Sequence, residues 1–302
     1  MADDEQQSSE GTGGPLVSDP MSVLCLKAEY VGNANANFMH GIEGLSRRYE
    51  GLRRVRGDGN CFFRGFIFAL CEQLLPPADP LALSEVELQR QHALRLRIQD
   101  TIRKSKGELV AIGYSEVAID AFWETFVDYL AAMETRSHAE LVRDFQTEGG
   151  ESEYLVWYAR LLTAGYLKKH AEEFQPFVEG LFPGLTVAQF CAAEVEPMGK
   201  ECDQPQIAAL TEALQIGVKI EYLDGSAKAD EELQSYVCAP SVKAPPAQPT
   251  NSPSSSPRGR RPSGDGSAGS PPPLEQPVSI FLLYRPGHYD ILYPRSSPAM
   301  LS

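Results

Sequence analysis

The sequence predicts an α+β fold, a helical region packed on a small β-sheet assembled largely from C-terminal strands. Three observations carry this. Apolar residues recur at three- and four-residue intervals across the first two thirds of the chain. Alternating or strongly apolar strand-sized runs come late, and a Pro-Gly turn joins two of them. With 302 residues and 42% hydrophobic content, the chain can bury one sizeable core, so a single catalytic-sized domain is expected.

Residues 1–22 lack hydrophobic periodicity and read as a disordered acidic tail. From Val23 the chain gains apolar residues, and Phe38–Tyr49 reads as a short helix. The stretch RGDGNCFFRGF, Arg56–Phe66, sets turn-forming residues and two glycines before a cysteine. A helix-like run, FFRGFIFALCEQLL, follows until Pro76-Pro77 ends it. Ala82–Gly113 reads as a long amphipathic helix, with Gly107 as the place where a break would fall. Residues 117–134, 152–170 and 186–195 and Gln206–Leu214 are further helical segments. Gly217–Leu223 alternates like a half-buried strand, and Val278–Tyr284 and Tyr289–Tyr293 flank RPGH as a strand pair. Between them, Ala239–Pro277 is dominated by Pro, Ser, Gly and Ala and has no aromatic residue, so it reads as a disordered insertion in a strand-to-strand connection. The expected domain runs over 23–296, with a short tail at 297–302.

Charge narrows the function classes. A net charge of −14 argues against nucleic-acid binding, which needs a basic face. It suits basic protein partners, though a solvated acidic surface is the plainer meaning. No apolar run approaches the ~20 residues of a membrane span. The start, MADDEQQSSEGTGG, lacks the basic and apolar regions of a signal peptide, so a soluble intracellular protein is expected. Cys25, Cys61, Cys71, Cys191, Cys202 and Cys238 form no CxxC pair and no zinc-like spacing. They read as reduced thiols, most of them small buried hydrophobes, and no metal site is predicted.

Cys61 stands apart. A thiol at a helix N-terminus feels the positive end of the helix dipole, which favours the thiolate. The unpaired N–H groups of that first turn, with a Gly-rich loop, can hold developing negative charge. By itself a turn-cysteine-helix pattern is more often structural than catalytic. The glycines fit neither GxGxxG nor GxxxxGK[ST], and the adhesion tripeptide spelled by Arg56-Gly57-Asp58 carries no meaning in a non-secreted chain. A thiol nucleophile needs a base. His40, His92, His138 and His170 sit on polar or helical stretches, whereas His288 follows the Pro-Gly turn at a strand start. Asp290, two residues on, falls on the same strand face ~6.5–7 Å away along the backbone, where it could orient the imidazole. In isolation, a hairpin histidine with an acidic neighbour is ordinary.

Together the two segments are far more specific. DGNCFFR with a distant GHYDILY resembles the ovarian-tumour (OTU) family of cysteine proteases. RGDGNCFFRGF, YLVWYARLLTAGYL, FVEG, FCAAEVEPMGKECD and LLYRPGHYDILY, in that order, resemble its otubain branch, over roughly Glu29–Pro294 outside the insertion. The resemblance implies a papain-like OTU fold with a small mixed sheet. It also implies deubiquitinating activity: hydrolysis of isopeptide bonds in polyubiquitin through a thioester, favouring the linkage that marks substrates for the proteasome. Cys61 would be the nucleophile, His288 the general base and acid, and Asp290 the group that orients the ring. Asp58 matches the family's active-site aspartate, and the backbone of Asp58 and Cys61 is assigned to the oxyanion. No cofactor is implied.

Phe177, Gln204 and Tyr284 match positions on the family's surface for the distal ubiquitin. Otubains read Asp-His-Ile-His where this chain has Asp203-Gln204-Pro205-Gln206, so a neutral amide replaces a titratable ring and Pro205 is expected to stiffen a loop. For Phe177, core packing is the competing explanation. Ubiquitin and polyubiquitin are the implied partners. Residues 1–40 could serve as the arm with which some otubains restrain ubiquitin-conjugating enzymes, though their composition alone says only flexible and acidic, and the expected location is cytoplasmic with the nucleus as a second compartment. Two other functions stay open: a regulator that binds ubiquitin or its conjugating enzymes, and a protease for another ubiquitin-like modifier.

Overall fold

Strands from both ends of the chain build the sheet. The computed structural model describes residues 14–79, 81, 83–228, 231–241 and 278–295. Within these, β1 (Met21–Ser22), β2 (Tyr49–Arg53), β3 (Gly217–Tyr222), β4 (Ser235–Cys238), β5 (Val278–Arg285) and β6 (His288–Pro294) lie in the order β1-β2-β6-β5-β3-β4. Every pairing is antiparallel except β3 with β5. The mixed α+β architecture is the expected one. The N-terminal contribution of β1 and β2 is not, because YEGLR carries a glycine and two charged residues and hides its strand.

Helices cover both faces of the sheet. On one face lies α2 (Cys61–Leu74), with nearly every residue buried, as a helix apolar all round must be. Behind it pack α3 (Glu85–Ala111), α4 (Glu116–Ala131), α5 (His138–Asp144) and α6 (Glu151–Lys169). Next come α7 (Ala171–Leu181), then α8 (Val187–Phe190) running into a π-helical turn at Cys191–Val195, then α9 (Gln204–Leu214). The other face is covered by a 3-10 segment (Val23–Tyr30) and α1 (Asn37–Arg48). Leu282 and Ile291 face the α2 side, whereas their neighbours Leu283 and Leu292 face the N-terminal layer. Burial on both faces explains why Ile280–Tyr284 is continuously apolar rather than alternating.

Several boundaries differ from expectation. Leu16 and Val17 are buried and Val17 bridges Val55, so the chain is packed from Leu16 rather than from Val23; residues 1–13 lie outside the described residues. α3 runs unbroken through Gly107. α5 and α7 are unexpected: α5 is announced only by its Ser137-x-x-Glu140 capping box, and α7 contains Pro176, which argues locally against a helix. Helix α9 starts at Gln204, not Gln206. Pro205 therefore sits in a first helical turn, where a missing N–H costs nothing, rather than stiffening a loop. Asp203 and Gln206 cap that turn reciprocally. The insertion connects β4 to β5; its residues from 242 and the tail at 297–302 lie outside the described residues.

Candidate active site

Cys61 opens α2, and its side chain is almost wholly buried. Asn60 holds the N-cap position but makes no capping bond. Its Oδ1 instead accepts from the Gly199 amide (2.9 Å) and from Arg160 Nη2 (2.8 Å). The first-turn N–H groups of α2 thus have no side-chain acceptor, and the helix dipole adds its positive end at the thiol. Burial pushes the thiols of Cys71 and Cys191 up to about 12, and that of Cys202 well above its ordinary value. Those three are closed to nucleophilic chemistry at neutral pH.

The loop before Cys61 is locked from two directions. Asp58 Oδ1 accepts from the Asn60 amide (2.9 Å), and its carboxylate takes two bonds from Arg64, at 2.8 and 2.6 Å. Burial alone would raise this carboxyl, but Arg64 and the Asn60 bonds hold it below the usual range. The Asp58 carboxylate is therefore a support for the loop. Its amide donates to the Arg56 carbonyl (3.1 Å). Of the two backbone groups expected at the oxyanion, then, Cys61 stands at an uncapped helix start while Asp58 is engaged elsewhere. Gly59 has φ +75°, and any Cβ there would collide with the Gly199 carbonyl, so backbone packs directly on backbone.

Arg160 ties this loop to the segment before α9. It is fully buried and stacks on Phe63. Its guanidinium donates to the carbonyls of Gly59 (2.7 Å), Lys200 (2.6 Å) and Val195 (3.0 Å). Burial draws its pKa down to about 10, the cost of a charge held by carbonyl dipoles.

His288 begins β6 after the turn at Pro286-Gly287, where Gly287 has φ +73°. Its Nε2 bonds Asp290 Oδ1 at 2.9 Å, which leaves Nδ1 facing the loop into Cys61, against Gly57. The Cys61 thiol lies beside the ring. Burial would lower the imidazole's pKa, but the bond to Asp290 and the neighbouring Cys61 sulfur outweigh it and raise the value to about 9. Asp290 is fully buried; Oδ1 also accepts from the Val55 amide (3.1 Å), and Oδ2 accepts from Arg285 (2.7 Å). Despite its burial, its carboxyl is held below the usual range by His288 and Arg285. A thiol at a helix start, a ring beside it and an ionised carboxylate behind the ring can pass a proton in one direction and build a thiolate.

The three outlying candidates separate. Phe177 on α7 is 64% exposed, so core packing does not explain it. Gln204 is exposed and lies beside the Tyr222 hydroxyl, and the Tyr222 ring lies 5.1 Å from that of Tyr284. Gln204 and Tyr284 therefore share one surface, built on α9 and the sheet, while Phe177 packs beside Phe174 on another element. Arg64, Arg160 and Arg285 escaped the sequence reading. A lone charge inside an apolar run, as in CFFRGF and YARLLTAGYL, is the signal that could have found the first two.

Thiol, imidazole and carboxylate, offered by a helix start on one layer and a strand on the other, define a cysteine-hydrolase site on a papain-like α+β fold. Residues 9–294 match the family described as Peptidase C65 Otubain, and the chain belongs to the otubain family. It is 35% identical over 291 residues to the human protein named ubiquitin thioesterase OTUB1, covering 96% of this chain and 87% of that one. It is 34% identical over 296 residues to the Arabidopsis thaliana OVARIAN TUMOR DOMAIN-containing deubiquitinating enzyme 1, covering 96% and 85%. Among solved structures, the complex titled h/ceOTUB1-ubiquitin aldehyde-UBC13~Ub superposes with a TM-score of 0.70 at 28% identity, covering 94% of this chain and 92% of that chain.

Proposed function

We propose that this chain is a thiol-dependent deubiquitinase that hydrolyses isopeptide bonds in polyubiquitin. The observation that carries it is the His288 ring, bonded to buried Asp290 by Nε2 and set beside Cys61. Relatives named ubiquitin thioesterases and deubiquitinating enzymes support the substrate class. With the Cys61 proton already held at Nδ1, the thiolate attacks the carbonyl of ubiquitin's terminal glycine. The oxyanion lies against the first-turn N–H of Cys61; use of the Asp58 amide requires its bond to Arg56 to open. The imidazolium then protonates the departing lysine amine, leaving a thioester, which water hydrolyses as the ring takes its proton. Among linkages, the proteasome-targeting chain is the first expectation, and exposed Phe177 with the Gln204–Tyr284 surface are the candidate contacts for the distal ubiquitin.

A second reading has its own support. Structures similar to this chain are titled as complexes with UBC13~Ub and UBCH5B~Ub, so restraint of ubiquitin-conjugating enzymes is the companion function to test. Wild type and Cys61→Ala are incubated with di-ubiquitins of every linkage, ubiquitin-like probes and charged conjugating enzymes. Cleavage and probe labelling by wild type alone support the hydrolase. Absence of both in wild type removes it, and discharge blocked equally by both proteins favours the companion function.

A further inference from the structure

Arg285 lies between two carboxylates. Its Nη2 donates to Asp290 Oδ2 and its Nη1 to Glu29 Oε2, both at 2.7 Å. The other oxygen of Glu29 pairs with Arg54, and the next residue, Val55, donates its amide to Asp290 Oδ1. The contacts therefore close into a ring: Asp290 to Arg285, to Glu29, to Arg54, and through one peptide unit back to Asp290. Asp290 shares its strand face with Leu292, which packs on the N-terminal layer, so it lies on the sheet face away from α2. Glu29 stands in the 3-10 segment of the same layer and is part-exposed, at 37%.

The geometry gives each member a task. Asp290 Oδ1 has two donors, whereas Oδ2 rests on Arg285. Without that donor, one oxygen of a fully buried carboxylate loses its partner and the group is free to turn. Arg285 is anchored in the same way. Among the described residues its buried Nε has no partner, so its placement depends on the two Nη bonds, one of which is to Glu29.

We propose that Arg285 and Glu29 are positioning residues for the hydrolysis: the ring fixes the Asp290 carboxylate and so holds His288 with Nε2 on Asp290 and Nδ1 toward Cys61. This rests on the hydrolase reading above. Glu29 acts through Arg285. The titratable groups around the imidazole are Cys61 from α2, Asp290 on β6 and, beside the Gly287 turn, Glu201 from the segment before α9.

The test is a double-mutant cycle read by kinetics. Wild type, Glu29→Gln, Arg285→Met, Arg285→Lys and the Glu29→Gln/Arg285→Met pair are assayed on a cleaved di-ubiquitin between about pH 6 and pH 10, with thermal midpoints alongside. Arg285→Met is expected to lose about 30- to 100-fold in kcat with KM within about twofold, and to displace the pH–rate profile. Arg285→Lys should recover part of that loss. Glu29→Gln should lose about three- to tenfold alone and nothing further in the Arg285→Met background. A purely structural role would lower the midpoint without moving the profile, and would add rather than couple. If Arg285→Met does not fold, the same cycle is run with Arg285→Lys. Variants with wild-type kcat and profile, or additive losses, overturn the proposal alone. A wild type that neither cleaves nor labels with an electrophilic ubiquitin probe overturns it together with the hydrolase reading.

Discussion

The two sides of His288 are built from different reaches of the chain. On the thiol side, Asp58, Asn60 and Arg64 bond one another across a single loop and the helix it leads into, and Arg160 pins that assembly to the segment before α9. On the carboxylate side, Glu29, Arg54, Val55, Arg285 and Asp290 converge from three separate segments: the 3-10 segment, the stretch just after β2 and the β5–β6 hairpin. The thiol side can be half-assembled by local folding. The carboxylate side exists only when β2, β5, β6 and the 3-10 segment are in register, so the proposed hydrolysis is tied to completion of the sheet.

Asp290→Asn should separate the sides most sharply. It keeps the shape but removes the charge, and kcat should fall by about 10²–10⁴-fold. The direction with pH follows from His288. Its folded pKa of about 9 lies above the ordinary 6.5. Its protonation therefore contributes stability that is fully present below pH 6.5 and is lost as pH rises through about 9. In Asp290→Asn the alkaline limb of activity and of the melting profile should both move down toward 6.5. An unmoved limb would show that Asp290 does not set the ring's protonation.

Arg160→Met comes next and breaks the thiol side. It leaves the carbonyls of Gly59, Lys200 and Val195 buried without their donor, so stability should drop by about 2–4 kcal/mol with a tenfold or larger loss of kcat. Here stability and activity should fall together, without the pH displacement expected opposite. Denaturant titration beside the pH–rate profile makes that distinction.

Phe177→Ala leaves both sides intact. An exposed aromatic contact should raise KM for di-ubiquitin by about three- to tenfold at constant kcat, roughly 1 kcal/mol of binding. A change in kcat instead would tie α7 to the chemistry. The smallest effect belongs to the insertion. Cys238 pairs with Val218 and Val278 with Gly217, so its ends flank β3 at one end of the sheet. Two strand spacings put them ~10 Å apart. Replacing residues 242–277 by a short Gly/Ser linker should change turnover and midpoint by less than about twofold and a few degrees; a larger loss would give the segment a role beyond connection.

How much was legible in the sequence followed the range of the interactions. The helix at Cys61, the turn at Gly287 and the alternation that sets Asp290 behind His288 all depend on residues within a few positions of one another. β2 was hidden by the glycine and charges of YEGLR, because what makes it a strand is pairing with β6 more than two hundred residues away. Pro205 was misplaced because a proline marks a loop and a first helical turn equally well, and the Asp203–Gln206 cap decides between them.

By itself, then, the sequence picked out the candidate thiol, the candidate ring and the hairpin that carries it, since turn chemistry, helix dipole and strand period act over short stretches of chain. Tertiary structure alone decided that Asp58 braces the loop, that Arg160 ties it to the segment before α9 and that Glu29 reaches Asp290 through Arg285. A buried charge has no periodic signature: its partners are chosen by where the chain crosses itself, and burial makes those few hydrogen bonds decisive.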